Sequence, residues 1–535
     1  MKKYDTEFVD NVTVQSASSS SYGYQTPTDE ESGLKRDLKP RHLAMISIGG
    51  TIGQGLFLSS GANLSKAGPA GLLIAYMVIG SVAYFVALQL GEMSAYIPIS
   101  GSFTVYCRRF VNKSFGNAVG YNYVFCWAII VAVELTAIPM VMKFWTTVVP
   151  DWAWSFIFLL IMFVINLFGA KAWGEAEYWF TLIKILAVLL FVIVGCLTSG
   201  GVLGGEVYGF KYWVDPGAFS NGVLGVINAF VLAALTMTGV EIVGVTAGES
   251  KNPAKSIPSA VRNVFYRIVC IYLSTVFVMG MVIPYNDPHN FASGRDVSVS
   301  PFTLVFQAAK LDSAAHVVNA VILTTLLSCG NSGMYVTTRT LQALAKEGIA
   351  HPKLAYTTKS GVPIYALLCT CAVSLICFVT SFIPGEVLFL VLADLGGIAG
   401  LITWTAIAIA QYRFRKAFLA QGHSLSELPY RAIGYPFSNY FVVVACIVII
   451  LISGWSYFVP ASPQGLVGSY GGPIIFISGM MIHKFWTKSR MVRIEEADIV
   501  TGARTEWKND LIDSIDGDDS NRKRTIWRKI VTFIT

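Results

Sequence analysis

Ile48-Gly49-Gly50-Thr51-Ile52-Gly53-Gln54-Gly55-Leu56-Phe57 decides the fold. Four glycines fall within seven residues, in a charge-poor apolar stretch (43–63) of the roughly twenty residues that cross a ~30 Å hydrocarbon core. Glycine costs about 1 kcal/mol in a helix interior, so the stretch reads as a membrane helix built to break at mid-depth. A second stretch, Thr236-Met237-Thr238-Gly239-Val240-Glu241-Ile242-Val243-Gly244, repeats the pattern about five helices further on and adds a carboxylate. Exposed backbone is tolerated at membrane depth only where it lines a cavity, so paired interrupted helices imply a five-plus-five inverted repeat around a central site. Close packing of small residues is the competing explanation for either stretch alone. Two such stretches at matching positions, the second with an acid, favour the breaks.

Composition agrees. Of 535 residues 54% are apolar and 13% charged, and the mean hydropathy is +0.58. A soluble domain carries about 25% charged residues, so a soluble enzyme is excluded. Apolar stretches near 43–63, 71–96, 119–148, 152–169, 178–199, 222–246, 264–285, 316–340, 361–383, 387–411, 438–458 and 470–487 predict twelve helices. An even number puts both termini on one side. The even-numbered loops hold sixteen Lys and Arg, the odd-numbered ones only Lys66, Lys211, Arg295 and Lys310, so both termini are expected in the cytoplasm. The same distribution explains the net charge of +7 without nucleic acid. Nine cysteines without a CxxC pair suggest neither a disulfide framework nor a zinc site. Residues 1–41 read as a disordered cytoplasmic tail without a cleavable signal, 42–487 as the helical core, and 488–535 as a second cytoplasmic tail, solvated or amphipathic.

The breaks suggest a ligand. A half-helix N-terminus offers free N–H groups to an anion, and unwound carbonyls accept from a cation. A zwitterionic α-amino acid matches both. Glu134, Lys184, Glu241 and Asp394 lie in apolar sequence, where each costs at least ~2.5 kcal/mol at mid-helix, so they pair with one another or serve ions and substrate. Lys184, withdrawn from water, can change its proton with its surroundings and is a candidate for proton coupling; as a fixed cation it would take the place of sodium. Three acids against one base bias the cavity toward a cationic side chain. Lys143 reads as snorkelling to the interface, and Arg108 and Arg109 as orientation signals.

Several ordered motifs carry a resemblance over about 39–486. They are Gly49-Gly-Thr-Ile-Gly53, Gly91-Glu-Met-Ser94 with Tyr96-Ile-Pro98, Phe103-Thr-Val-Tyr106, Glu241-Ile-Val-Gly244 with Gly248-Glu-Ser250, Asn252-Pro253, Pro284-Tyr-Asn-Asp287 and Asn331-Ser332. With them the chain resembles the yeast amino-acid transporter family of the amino acid, polyamine and organocation superfamily. The resemblance implies an all-α fold like that of the sodium/leucine symporters with two added C-terminal helices, proton-driven amino-acid uptake, and a fungal plasma membrane. It implies no cofactor or metal beyond the proton gradient. By motif match, Thr51, Ile52, Gly53, Gln54 and Gly55 would bind the substrate's carboxylate and amino group, with Leu235, Thr236 and Thr238 opposite. Lys184 and Glu241 match positions implicated in proton coupling, and Glu134 and Asp394 would lie near the side-chain pocket. Cys329-Gly-Asn-Ser-Gly-Met-Tyr335 and Gln421-Gly-His with Glu427-Leu-Pro429 are similar to lysine permeases, which favours lysine or arginine as substrate. In similar permeases cytoplasmic lysines accept ubiquitin, so a ubiquitin ligase or adaptor is an expected partner at Lys2, Lys3, Lys35 and Lys39, beside the lipid bilayer.

Two departures bear on the substrate. Gln54 stands where the motif usually has Thr, and Asp394-Leu-Gly396 replaces an Asn-x-Thr or Asn-x-Ser pattern. A neutral amino acid or proline is the alternative substrate, and a non-transporting amino-acid sensor the alternative role. No P-loop, GxSxG or His/Asp/Glu metal cluster supports a membrane enzyme.

Overall fold

The computed structural model describes residues 45, 52–99, 101–242, 244, 253–287, 299–358, 360–458 and 460–503. The expected N-terminal tail and residues 504–535 lie outside them. A helical run over Gly55–Tyr96 is broken at Gly68. Its φ of 75° is open to glycine at little cost, and Pro69 removes the next backbone donor. The run is therefore two helices, α1 (residues 55–67) and α2 (residues 69–96). A short α3 (Ser102–Phe110) precedes α4 (Lys113–Met142), which is capped where the Asn112 side chain accepts from the Phe115 N–H at 2.7 Å. There follow α5 (Asp151–Leu167), α6 (Gly169–Ser199), α7 (Gly222–Met237) and α8 (residues 253–282). A short α9 (Pro301–Ala308), α10 (Asp312–Lys346), α11 (Ile364–Ser374), α12 (Gly385–Ala420), α13 (Phe437–Ile452) and α14 (Pro463–Thr487) complete the order.

Among the described residues nine helical runs are long and apolar enough to cross a membrane, and the apolar α5 and α7 are shorter. α7 stops at Met237, nine residues before the apolar run ends at 246, because Thr238 is extended at ψ 141° and Gly239 takes φ 102°. The expected second break is thus present in the backbone. At the first, Met45 is helical, Ile52 and Gly53 are not, and helix resumes at Gln54.

Burial sorts the helices. In α4, 89% of the most apolar window is inside the protein and in α12 78%, against 33% in α6 and 22% in α14. α4 and α12 are therefore central, while α6 and α14 turn side chains such as Leu186, Leu189, Ile474 and Phe485 outward, as a lipid-facing helix does. The α1–α2 junction is joined to the residues just before α7, where Ala70 N–H donates to Ala218 O at 3.0 Å and Ser220 N–H to Ala67 O at 3.1 Å.

A buried ion pair ties α2 to α12. Glu92 accepts from Arg415 through both Nε, at 2.9 Å, and a terminal nitrogen, and also from Gln411 Nε2 at 2.8 Å and the Ala432 N–H at 2.6 Å. The Arg415 guanidinium lies 4.7 Å from the Tyr435 ring centre.

Residues 490–503, expected within a solvated tail, are docked. Val492 N–H donates to Val111 O at 2.9 Å, Arg109 to Thr501 O at 2.7 Å, and Gln421 Nε2 to Ala497 O at 2.8 Å. Ala497 and Ile499 are buried. Arg108 pairs with Glu347 at 2.7 Å and Lys143 with Asp151 at 2.9 Å, so Arg108, Arg109 and Lys143 all have partners within the protein.

Candidate functional site

Four helices converge on one small cavity. Gly53, Gln54 and Gly55 come from the start of α1, Trp127, Ile130 and Glu134 from α4, Leu235, Thr236 and Thr238 from the end of α7, and Cys329 from α10. The glycines permit this approach: a Cβ on Gly53 would stand 2.4 Å from Cys329 Sγ and 2.5 Å from Glu134 Oε1, and one on Gly55 2.7 Å from Thr236 Cα. The two explanations of the glycine run, a break and a close contact, therefore hold together: the chain leaves the helix where it must also pass close to three others.

The electrostatics follow from direction. α1 presents its N-terminus to the cavity and α7 its C-terminus, so a positive and a negative dipole end face the same space. The Glu134 carboxylate sits at the positive end, accepting from the Gln54 N–H at 3.3 and 3.4 Å. At the negative end the Thr236 and Thr238 hydroxyls donate back to Leu232 O at 2.7 Å and Ala234 O at 2.9 Å, and Tyr76 OH lies 3.2 Å from Thr236 Oγ1. Ser59 Oγ donates to Gln54 Oε1 at 2.5 Å, which turns the Gln54 side chain back along α1.

The other intramembrane charges divide into two groups. Glu241 accepts from the Gly239 N–H at 3.1 and 3.0 Å and from Trp404 Nε1 at 3.1 Å, so it closes the second break against α12. Lys184 is fully buried on α6, with its Nζ 3.5 Å from Glu177 Oε1, and it interacts electrostatically with Glu134.

Of the residues expected to bind substrate, Gly53, Gln54, Gly55, Glu134, Leu235, Thr236 and Thr238 line the cavity. Ile52 is buried beside them, and Thr51, with Ile48 to Gly50, lies outside the described residues. Asp394 is not brought there. Its carboxylate accepts from Tyr457 OH at 3.4 Å, and its Cβ faces Gly468 of α14. The part of α12 that packs behind the cavity wall is Gly396, whose Cβ would meet Leu235 and Ile130. Three lining residues had not been singled out. Trp127 and Ile130 stand seven and four residues before Glu134, on one helix face, which is the signal that finds them. Cys329 opens the stretch similar to lysine permeases but reads by itself as apolar packing. Glu177 also escaped, because the apolar stretch begins at 178 while α6 begins at Gly169.

Residues 42–496 match the family described as amino acid permease. The chain is 42% identical over 477 residues to the lysine-specific permease LysP of Escherichia coli (strain K12), covering 88% of this chain and 98% of that one. It is 37% identical to the lysine-specific permease of Saccharomyces cerevisiae, covering 94% and 82%, and 38% identical to the histidine permease HisP of Lactococcus lactis, covering 88% and 99%. These relatives are transporters, not enzymes.

Proposed function

The chain belongs to the amino acid permease family, and from that premise we propose that it imports basic amino acids, lysine or arginine, by proton symport across the plasma membrane. The observation that carries this reading is the meeting of two opposed helix ends and one carboxylate in a single cavity. A substrate carboxylate takes the Gln54 N–H and displaces Glu134, which turns to the cationic side chain. The substrate ammonium faces the carbonyl end of α7, and Trp127 and Ile130 cover the methylene stem. Relatives whose names specify lysine support the choice of a basic substrate.

In this reading twelve helices cross the membrane, α1–α2, α4–α8 and α10–α14, in a five-plus-five inverted repeat with two added, and both termini are cytoplasmic. Alternating access turns on the breaks at Gly53 and Gly239. Lys184 carries the coupling role on α6, while Glu241 holds the second break in shape. The tail lysines Lys2, Lys3, Lys35 and Lys39 are proposed ubiquitin acceptors.

The test is uptake of labelled lysine by cells lacking their own permeases, at acidic and neutral pH, with unlabelled amino acids as competitors and an ionophore that dissipates the proton gradient. Acid-stimulated, ionophore-sensitive uptake displaced by arginine is expected. Uptake of neutral amino acids but not of lysine would overturn the choice of substrate and leave amino-acid transport standing.

A further inference from the structure

Directly behind the cavity, α10 has two faces. Cys329 looks into the cavity, and its neighbour Ser328 looks away, toward α6. There Ser328 Oγ lies 2.9 and 2.8 Å from the two carboxylate oxygens of Glu177, and Ser332 Oγ donates to Oε2 at 2.9 Å. Ser328 and Ser332, four residues apart, share one helix face, so both bind the same acceptor. On α6 itself Thr181 Oγ1 and Lys184 Nζ each stand 3.5 Å from Glu177 Oε1. Glu177, Thr181, Lys184 and Ser328 are all fully buried, and Ser332 nearly so. A carboxylate so placed is costly unless it is paired and hydrogen-bonded. Here one carboxylate accepts from both helices and from the lysine together.

We propose that Glu177 is a positioning residue for transport: it seats Lys184 against α10 through Ser328 and Ser332, so that the charge state of the Glu177–Lys184 pair decides whether α6 and α10 move as one body. If the pair loses its charges, the attraction between carboxylate and ammonium is gone and only neutral hydrogen bonds to Ser328 and Ser332 still join the two helices. The contact between α6 and α10 then loosens. Among the titratable groups near this pair, Cys329 on α10 acts on both members and Glu134 on α4 acts on Lys184, and Cys329 and Glu134 also line the cavity. Substrate and proton thus act on adjacent faces of one helix. The inference rests on the proton-symport reading above and adds to it a residue and a moving contact.

The experiment compares wild type, Glu177→Gln, Glu177→Asp, and the pair Lys184→Met with Glu177→Gln, each assayed for surface expression, exchange of internal for external lysine, and uptake as a function of pH. Gln keeps the shape and can still accept from the serines, but its amide opposes the ammonium. Glu177→Gln is expected to keep exchange, lose the acid stimulation, and accumulate about tenfold less lysine, within the usual range of coupling between sites. Asp should restore part of the pH dependence. A pH profile for Glu177→Gln identical to that of wild type would overturn the proposal. If Glu177→Gln fails to reach the surface, the double variant decides: a genuine pair predicts that removing both charges restores expression, and no restoration contradicts it. Should wild type itself show no ionophore-sensitive uptake, the symport reading falls, and the expression comparison still judges the pair.

Discussion

Among the described residues, the buried pairs Glu92–Arg415 and Glu177–Lys184 are built differently. Glu92 takes two nitrogens of Arg415, Gln411 and a backbone N–H, while the guanidinium stacks on Tyr435. Its geometry is bidentate, its donors are fixed, and arginine does not give up its proton. Glu177 instead meets an ammonium at 3.5 Å and three rotatable hydroxyls, those of Thr181, Ser328 and Ser332. The first arrangement has one stable state. The second has hydroxyl donors that can turn away and a longer contact to its cation. The difference teaches where rigidity and change are placed: the fixed clamp joins α2 to α12, and the adjustable one lies on the seam between α6 and α10, behind the cavity.

The largest effect is expected at the fixed clamp. Glu92→Gln leaves Arg415 buried without its anion, and losing one partner of a buried pair costs about 3–5 kcal/mol. Thermal denaturation of the purified protein in detergent should register a large loss, whereas Glu177→Gln, which breaks a longer ion contact and keeps an oxygen for Ser328 and Ser332, should lose less. Equal losses would erase the distinction.

Methyl groups sharpen it next. At Gly53 an added Cβ meets Cys329 and Glu134 at the cavity wall, and overpacking of this kind costs about 1–3 kcal/mol. Gly53→Ala should therefore abolish lysine uptake while the protein still reaches the membrane. Gly91→Ala, beside Glu92, meets the buried, branched Val261 side chain at 2.9 Å, which must shift; because this clash lies away from the cavity, stability should fall by about 1 kcal/mol while uptake per protein at the surface falls by less than about threefold.

Smaller still is Ser332→Ala. It removes one neutral donor to Glu177 but leaves the charges, so about 1 kcal/mol of stability is lost and the pH profile of uptake is kept. The smallest effect belongs to Asp394→Asn. The side chain faces Tyr457 and α14, and an amide still accepts from the tyrosine, so competition by lysine should be unchanged.

Much of this was legible in the sequence. The apolar stretches locate the helices, and glycine with small polar residues locates both breaks, because backbone cost and close approach both select glycine. What stayed hidden has physical causes. The resemblance and its intramembrane charge put Asp394 near the side-chain pocket, and nothing in the sequence corrects that, because a helix buried nearly all round, as α12 is, carries no amphipathic signal of which face looks where. Glycines 396, 397 and 400 turn toward Leu235, Val231 and Thr238, which puts Asp394 on another face. Glu177 was missed at the edge of an apolar window, although it lies seven residues before Lys184 on the same face. The docked segment was obscured by its charges. Its signal was the spacing of Val492, Ile494, Ala497 and Ile499 among them, the residues that settle against the body.

The central claim is that Glu134 leaves the Gln54 N–H to a substrate carboxylate and reads the cationic side chain. The most direct measurement is the affinity for lysine relative to norleucine, its uncharged counterpart, in wild type and in Glu134→Gln. The account predicts that the substitution weakens lysine by about 2 kcal/mol, roughly thirtyfold, and leaves norleucine nearly unchanged. An unaltered preference for lysine in Glu134→Gln would contradict it.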